Sequence, residues 1–449
     1  MSFWVLLACT VIVEVYVLRR LRFDGYVVAI VLTGTVLCAD YLTYTDISER
    51  NYDTSSHVRY IQSIAQHLRM PDVYDCVSCG HPPLYYALGA VWSKVVLVGG
   101  WIPFELGLQW LSLLLFFGFV VFSLVILRSC IDRSPTLWLA AALIVFWPSS
   151  IINSVRVHND ALASLLMLAA MYFIAQWDGR ERARDFYAAL AASALSLLTK
   201  SSGYTVATTL VLFVILRLRS TGLRREAVTR CATAIVVLAG VAVLAVGLRE
   251  SRRPTTLCQK VLGHACDGRG VPSVPDTLMR FISFDAPDFV RRIDTVPQDP
   301  FLNRLAKSSL FGMMDLGDEF DGARHKALAV LISLLLLAMV AACVAGLPFL
   351  RRARLRKCRA YLGAAVIMFV FLVAFRIRAP NGCHEDFRHI FPALVPFCLG
   401  YATVVERFGR LSKVTDGSVG RVFGWLHRAG VAIGLTMVLA SAAFFARLP

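Results

Sequence analysis

The sequence has few charged residues and lacks a long linker that would separate one soluble domain from another. Only 17% of its 449 residues are charged, while 57% are hydrophobic and the mean hydropathy is +0.64. A soluble domain carries roughly 25% charged residues, so this composition excludes an ordinary soluble protein. Because there is also no low-complexity tract, long linker or clear internal repeat, the sequence predicts an all-α polytopic membrane protein with a single membrane domain over residues 1–449.

Acidic residues are scarce relative to basic ones, and the formal net charge is +16. The basic residues occur in short runs between apolar segments, such as Arg19-Arg20, residues 180–184 and residues 351–359. Runs of this kind are typical of the cytoplasmic loops of membrane proteins, and no soluble domain carries the charge. We therefore expect membrane lipids, and no nucleic acid, as partners. No Lys or Arg precedes the first apolar segment, which argues against a cleavable signal peptide.

Long apolar segments lie between the basic runs. Crossing roughly 30 Å of hydrocarbon takes about 17 to 25 helical residues. The sequence predicts about twelve such helices, at residues 3–18, 26–43, 104–127, 136–152, 160–176, 186–199, 203–217, 230–248, 326–350, 360–377, 388–405 and 428–446. With the basic runs in the cytoplasm, residues 44–103 and 249–325 become two external loops. A crossing at residues 82–98 would invert this topology, so its Pro-Pro start and aromatic residues instead predict an interfacial or re-entrant helix.

The first external loop contains a candidate acid–base pair. Asp53, His57 and Tyr60 are spaced by four and three residues, so in a helix they share one face. A carboxylate beside an imidazole can accept a proton from a hydroxyl group. The alternative interpretation is a solvated amphipathic helix that lies on the membrane.

Three further polar clusters occur at predicted outer ends of membrane helices. Arg156, His158, Asn159 and Asp160 form the first, although Asp160 could simply stabilise a helix N-terminus. Lys200, in TKSSGY, could bind a phosphate group or extend its ammonium group to the membrane surface.

The last cluster surrounds Arg388, which lies at the start of a membrane helix. An arginine there suits a phosphate oxyanion, but pairing with Glu385 or Asp386 is nearly as good an explanation. Ionisable groups near hydrocarbon are costly and usually functional, so these clusters are the candidate site.

A Cys-x-x-Cys motif, Cys76 to Cys79, precedes His81. Zinc would require two more ligands, and the sequence has no second Cys-x-x-Cys. In an oxidising compartment the two cysteines form a disulfide or remain as inert thiols. Cys258 and Cys266 could close a second external loop, which would leave Cys383 as the odd external thiol.

In order along the chain, these motifs resemble the membrane-embedded glycosyltransferases of the GT-C superfamily. The likeness is to the branch similar to dolichyl-phosphate-mannose protein mannosyltransferases and to the lipid A aminoarabinose transferase. YDTSSHVRYI resembles the acidic residue and histidine helix of the family's first external loop, and HPPLYY resembles the motif that follows. VHNDALASLL, TKSSGY, SSLFGMMD and DFRHIFPALVP resemble later motifs. The resemblance covers most of the chain and implies a GT-C-like bundle of about 12 transmembrane helices with external juxtamembrane helices.

The resemblance also implies an activity, which is inverting transfer of a monosaccharide from a polyprenyl-phosphate carrier to a lipid, glycan or protein acceptor. It implies Asp53 as the general base and implies that Lys200 and Arg388 stabilise the departing lipid phosphate. The expected substrate-binding residues are His57, His81, Tyr85, Arg156, Asn159, Asp160, Lys200 and Arg388.

The sequence departs from the family in having an extra helix before the acidic loop, which places the N-terminus outside, and in its Cys-x-x-Cys. Some related enzymes use a divalent metal ion near this loop. Asp46, Asp53 and Asp160 could supply oxygen ligands, but the sequence defines no ligand set, and no metal residue is assigned.

Two other functions stay open at this point. One is a secondary transporter, which would also have many helices and intramembrane charges. The other is an enzyme like the O-antigen ligases or polymerases, which would use a diphosphate-linked donor. In the preferred interpretation the protein is a multi-pass protein of the bacterial inner membrane or the endoplasmic reticulum, with its active site on the non-cytoplasmic face.

Overall fold

The computed structural model describes residues 3–47, 53–97, 102–221, 225–251, 278–293, 299–312, 320–350, 352–378 and 386–447. Their regular structure is helical. The helices are α1 (Phe3–Arg20), α2 (Gly25–Tyr44), α3 (Thr54–His67), α4 (Leu84–Leu97), α5 (Phe104–Cys130), α6 (Ser134–Val145), α7 (Pro148–Ser154), α8 (Asp160–Arg180), α9 (Ala183–Leu197), α10 (Tyr204–Thr221), α11 (Arg225–Glu250), α12 (Leu278–Ile282), α13 (Ala286–Arg291), α14 (Phe301–Phe311), α15 (Ala323–Gly346), α16 (Arg352–Arg378), α17 (Leu394–Leu411) and α18 (Gly417–Phe445). Short 3₁₀ helices occur at Val77–Gly80, Ser201–Gly203, Leu347–Phe349 and Phe387–Ala393.

Each of the twelve predicted segments overlaps one or more of these helices. Within the described residues, nine helices are long and apolar enough to cross a membrane, or ten if the bent pair α6–α7 counts as one span. The N-terminal α1 includes three charged residues, Glu14, Arg19 and Arg20, and α9 has only 15 residues. Neither α1 nor α9 is therefore among the helices that are long and apolar enough to cross a membrane, and the count of twelve crossings stays a prediction. Helix α4, with 14 residues, is shorter than a straight crossing requires.

Helix α1, the extra helix noted in the sequence, is packed into the bundle by polar contacts. Thr35 of α2 donates to Glu14 Oε1 at 2.8 Å, and Trp110 of α5 donates to Thr10 at 3.1 Å. Glu14 is only 1% exposed. Because a buried polar group is costly unless it is hydrogen-bonded, these contacts define how α1 lies against α2 and α5.

Helices α3 and α4 pack on each other through aromatic rings. The rings of Tyr60 and Tyr86 stack with centroids 3.8 Å apart. The first residue of α4, Leu84, donates its backbone N–H to the carbonyl of Leu198 at 3.1 Å, just after α9. The HPPLYY motif is thereby attached to the turn that contains Lys200.

Candidate active site

A buried ion cluster lies at the N-terminal end of α8. Asp160 Oδ1 accepts a hydrogen bond from Lys200 Nζ. The other carboxylate oxygen, Oδ2, lies 2.6 Å from His158 Nδ1 and 4.0 Å from Arg388 Nε. The Asp160 and Lys200 side chains are only 11% and 6% exposed. The structure therefore brings together Asp160, Lys200 and Arg388, which the sequence predicted as site residues.

The α8–α9 hairpin and the turn after it place Lys200 against Asp160. Asn159 is fully buried, and its amide donates to the carbonyl of Thr199 at 3.3 Å, which ties the start of α8 to this turn. Gly203 allows the turn to approach α9. A Cβ at this position would lie 2.6 Å from the carbonyl carbon of Ser196 and 2.7 Å from the backbone nitrogen of Leu197, so any other residue would force the turn outward.

Arg388 lies in the 3₁₀ helix Phe387–Ala393, where Asp386 holds it. The Asp386 carboxylate accepts from the backbone N–H of Arg388 at 2.9 Å and lies 3.1 Å from its Nε. The sequence proposed Glu385 or Asp386 as the alternative partner. Asp386 is a partner, whereas Glu385 lies outside the described residues. Because Arg388 also faces Asp160, it connects this 3₁₀ helix to α8.

Two histidine rings lie beside the ion cluster. The rings of His57 and His158 have centroids 4.3 Å apart, and both residues are buried. His57 Nδ1 is 3.0 Å from the Tyr86 hydroxyl, and its Nε2 is 3.2 Å from Ser78 Oγ. The sequence motif HPPLYY contributes two predicted residues here. The ring of His81 is parallel to that of His57 at 6.3 Å, and Tyr85 is edge-on to His57 at 6.4 Å.

Asp53 lies at the N-cap position of α3, half-buried, and its side chain makes no capping hydrogen bond to the helix. One oxygen of its carboxylate and one ring nitrogen each of His57 and His158 lie within 4.8 Å of one another. Of these three residues, only Asp53 was among the aspartates considered from sequence as metal ligands. Both nitrogens of His57 already have hydroxyl partners, so a metal ion bound through His57 would have to displace Ser78 or Tyr86.

Cavities lie near the ion cluster. A small one of about 20 Å³ is lined by Arg156, His158, Asp160 and Arg388. A groove of about 350 Å³ is lined by Ser201, Ser202 and His389 and by apolar residues of α16 that include Phe371 and Phe375. A second groove, of about 380 Å³, lies beside Phe387 and has an almost wholly apolar lining.

Comparison with known proteins supports the fold. The sequence matches no profile of a protein family and no curated protein sequence. Its structure is similar to that of the archaeal oligosaccharyltransferase AglB from Archaeoglobus fulgidus, in complex with an inhibitory peptide and a dolichol-phosphate. The TM-score is 0.54 at 12% identity, covering 93% of this chain and 56% of that chain. ArnT from Cupriavidus metallidurans in the apo state gives a TM-score of 0.51 at 13% identity, covering 94% and 75%. Both are GT-C membrane glycosyltransferases.

This chain has the GT-C fold. The expected fold class, an all-α multi-pass membrane protein, is confirmed. The chain spans just over half the length of the oligosaccharyltransferase that it matches, so the likeness concerns the fold that the two share.

Sequence reasoning missed two contacts at the site of this GT-C fold. Ser78 and Tyr86 were not assigned roles, although each contacts His57. Ser78 lies between two cysteines, and no sequence signal marks it. Asp386 was considered only as an alternative partner of Arg388, although an aspartate just before a helix start is also a common N-cap. The possible Cys258–Cys266 pair and Cys383 lie outside the described residues.

The buried histidines predict a loss of stability in acid. Burial lowers the pKa of His57 and of His158 well below the usual value, and burial lowers the pKa of His81 to about 3. Below pH about 6.5 the unfolded chain takes up protons that the folded chain excludes, so stability falls as pH drops below 6.5. Each histidine contributes at most about 1.4 kcal/mol per pH unit.

We expect the melting temperature of the purified protein to decrease steadily between pH 7 and 5. His81→Gln should flatten this dependence. His67→Gln, which changes an exposed histidine, should leave it unaltered. Equal slopes for the wild type and His81→Gln would contradict the assignment of a neutral, half-buried His81.

Proposed function

We propose that this protein is a membrane glycosyltransferase that moves a monosaccharide from a polyprenyl-phosphate carrier to an acceptor on the non-cytoplasmic side. The observation that carries the proposal is the convergence of a carboxylate, Asp53, with two histidines beside a buried cluster that contains Lys200 and Arg388. The GT-C fold supports the same reaction class. In AglB this fold is seen with a dolichol-phosphate, a lipid carrier of the proposed kind.

The charges of the cluster suit a phosphate leaving group. The small cavity is lined by two cations, Arg156 and Arg388, and by one carboxylate, Asp160, to which the ammonium group of Lys200 is hydrogen-bonded. Arg156 is 3% exposed, and its Nη1 donates to Asn153 at 3.1 Å. Because electrostatic interactions are strong where water is excluded, cations held in place here favour a transition state that develops negative charge.

The groove beside α16 suits the polyprenyl chain of the carrier. Its apolar walls are formed by residues such as Phe371 and Phe375. Two polar residues of the groove are neighbours of the site cations in the chain, because Ser201 follows Lys200 and His389 follows Arg388. The groove therefore begins beside the two cations. An amphiphile with a phosphate head matches this combination better than a ligand that is polar throughout. The second groove has no such polar residues beside a site cation.

In the proposed reaction, the hydroxyl oxygen of the acceptor attacks the anomeric carbon of the sugar, and Asp53 accepts the proton of that hydroxyl. The bond between that carbon and the phosphate oxygen breaks, and the lipid phosphate leaves with the electron pair. Lys200 and Arg388 stabilise the phosphate as its charge develops. A single displacement of this kind inverts the anomeric configuration. The acceptor is a lipid, a glycan or a protein.

The test is transfer of radiolabelled sugar by the purified protein in lipid nanodiscs, with membrane extract as the acceptor source. Donors are a panel of polyprenyl-phosphate monosaccharides and one polyprenyl-diphosphate oligosaccharide. Label on an acceptor from a monophosphate donor supports the proposal. Transfer from the diphosphate donor alone would favour a ligase. Absence of transfer from every donor by folded protein, together with uptake of a donor sugar into sealed vesicles, would favour a transporter.

A further inference from the structure

A disulfide closes a small loop against the candidate site. Cys76 and Cys79 are bonded to each other, and the intervening residues belong to the 3₁₀ helix Val77–Gly80. Cys79 is fully buried and Ser78 is only 1% exposed, so this side of the loop packs against α3, whereas Val77 faces outward. The loop is therefore part of the wall of the site.

The loop is attached to α3 at several points that lie close together. The backbone N–H of Ser78 donates to Ser56 Oγ at 2.7 Å, and Cys76 Sγ lies 3.5 Å from the carbonyl oxygen of Ser56. The next residue of α3 is His57, whose Nε2 is 3.2 Å from Ser78 Oγ. These contacts leave the Ser78 hydroxyl little freedom except to face the imidazole.

The imidazole of His57 is held between two hydroxyl groups. Tyr86 contacts Nδ1 at 3.0 Å, and Ser78 contacts Nε2. A neutral imidazole donates from one nitrogen and accepts at the other, and a hydroxyl can do either, so the two hydroxyls together hold the ring orientation with either tautomer. Loss of either hydroxyl would leave a buried ring nitrogen with one partner fewer.

The position of His57 matters because it lies between the other candidate groups. Its ring is in contact range of His158, whose Nδ1 is 2.6 Å from Asp160 Oδ2. One of its ring nitrogens also lies within 4.8 Å of an oxygen of the Asp53 carboxylate. A rotated His57 ring would therefore alter the surroundings of the proposed base.

We propose that the Cys76–Cys79 loop is a positioning element, in which the disulfide holds Ser78 and Ser78 holds the His57 ring beside Asp53. Ser78 is a positioning residue and contacts no substrate. The consequence for turnover rests on the proposed function, whereas the restraint of His57 does not.

The first test measures the restraint of His57 without using activity. The full-length protein in nanodiscs is treated with diethyl pyrocarbonate, which modifies accessible neutral imidazole nitrogens, and labelling is located by peptide mass spectrometry. Exposed His67 on the same helix is the internal reference. We expect Ser78→Ala and Cys76→Ser/Cys79→Ser to increase the labelling rate of His57 about tenfold relative to His67, in keeping with one lost buried hydrogen bond. The matched control is Ser63→Ala, which removes a hydroxyl from the exposed side of α3.

The second test measures transfer. Ser78→Ala should lower kcat about tenfold with little change in the KM for the donor, and should have no further effect in a His57→Gln background. The inference is overturned if His57 labelling in both loop variants equals that of the wild type, or if Ser78→Ala lowers kcat equally with and without His57. If wild-type protein transfers no sugar, the proposed function fails while the labelling experiment still decides the restraint.

Discussion

Asp53→Asn is expected to reduce sugar transfer by roughly 10²- to 10⁴-fold, the usual contribution of a general base. The asparagine has nearly the same shape but cannot take the proton of the acceptor hydroxyl. Asp53 makes no side-chain capping bond to α3, and asparagine is as good an N-cap as aspartate, so the helix should form normally. The loss should therefore appear in kcat, with the melting temperature and the KM for the donor nearly unchanged.

The measurement compares initial rates of transfer by wild type and variant at saturating donor, together with thermal unfolding of both. Asp72→Asn is the control, because Asp72 is an exposed aspartate in the segment that follows α3. Normal turnover by Asp53→Asn would eliminate Asp53 as the base. Reduced activity with an equally reduced melting temperature would assign it a structural role.

Lys200→Met is expected to remove both activity and stability. The Lys200 ammonium group is the donor to Asp160 Oδ1, and both side chains are almost fully buried. Removal of one member of a buried ion pair typically costs about 3–5 kcal/mol, because the other charge loses its compensation. His158 and Arg388 still face Asp160, so we expect the lower end of this range. Transfer should fall by at least about a hundredfold as a cation for the leaving phosphate is lost.

A double variant separates the two effects. Lys200→Met/Asp160→Asn removes the uncompensated carboxylate, so most of the lost stability should return while transfer stays low. Thermal unfolding and transfer assays on the single and double variants measure this directly, and Lys94→Met serves as the control at an exposed lysine of α4. Recovery of transfer in the double variant would show that Lys200 acts only by neutralising Asp160. Unchanged stability of Lys200→Met would contradict the buried pair.

Much of the fold could be predicted because its determinants are local. Apolar segments long enough to span hydrocarbon, separated by basic runs, identified a helix in each of the twelve predicted segments. The number that crosses the membrane was harder to predict, since α9 is short and α1 is charged. The Pro148 that begins α7 was within one predicted span, yet the structure bends there by 56°. Proline limits the helix at its own position, but the bend angle depends on the helices that pack around it.

The sequence by itself determined which residues carry charge beside apolar segments, and its spacing predicted that Asp53 and His57 share one helix face. In the structure Asp53 is the N-cap of α3, and His57 lies in the first turn. Only the tertiary structure decided which of these groups meet. Lys200 could have extended to the membrane surface, but it pairs with Asp160, 40 residues earlier in the chain. Ser78 had no visible role until the fold placed it against His57. Helix formation depends on interactions within a few turns of the chain, whereas contacts between distant residues depend on how whole helices pack.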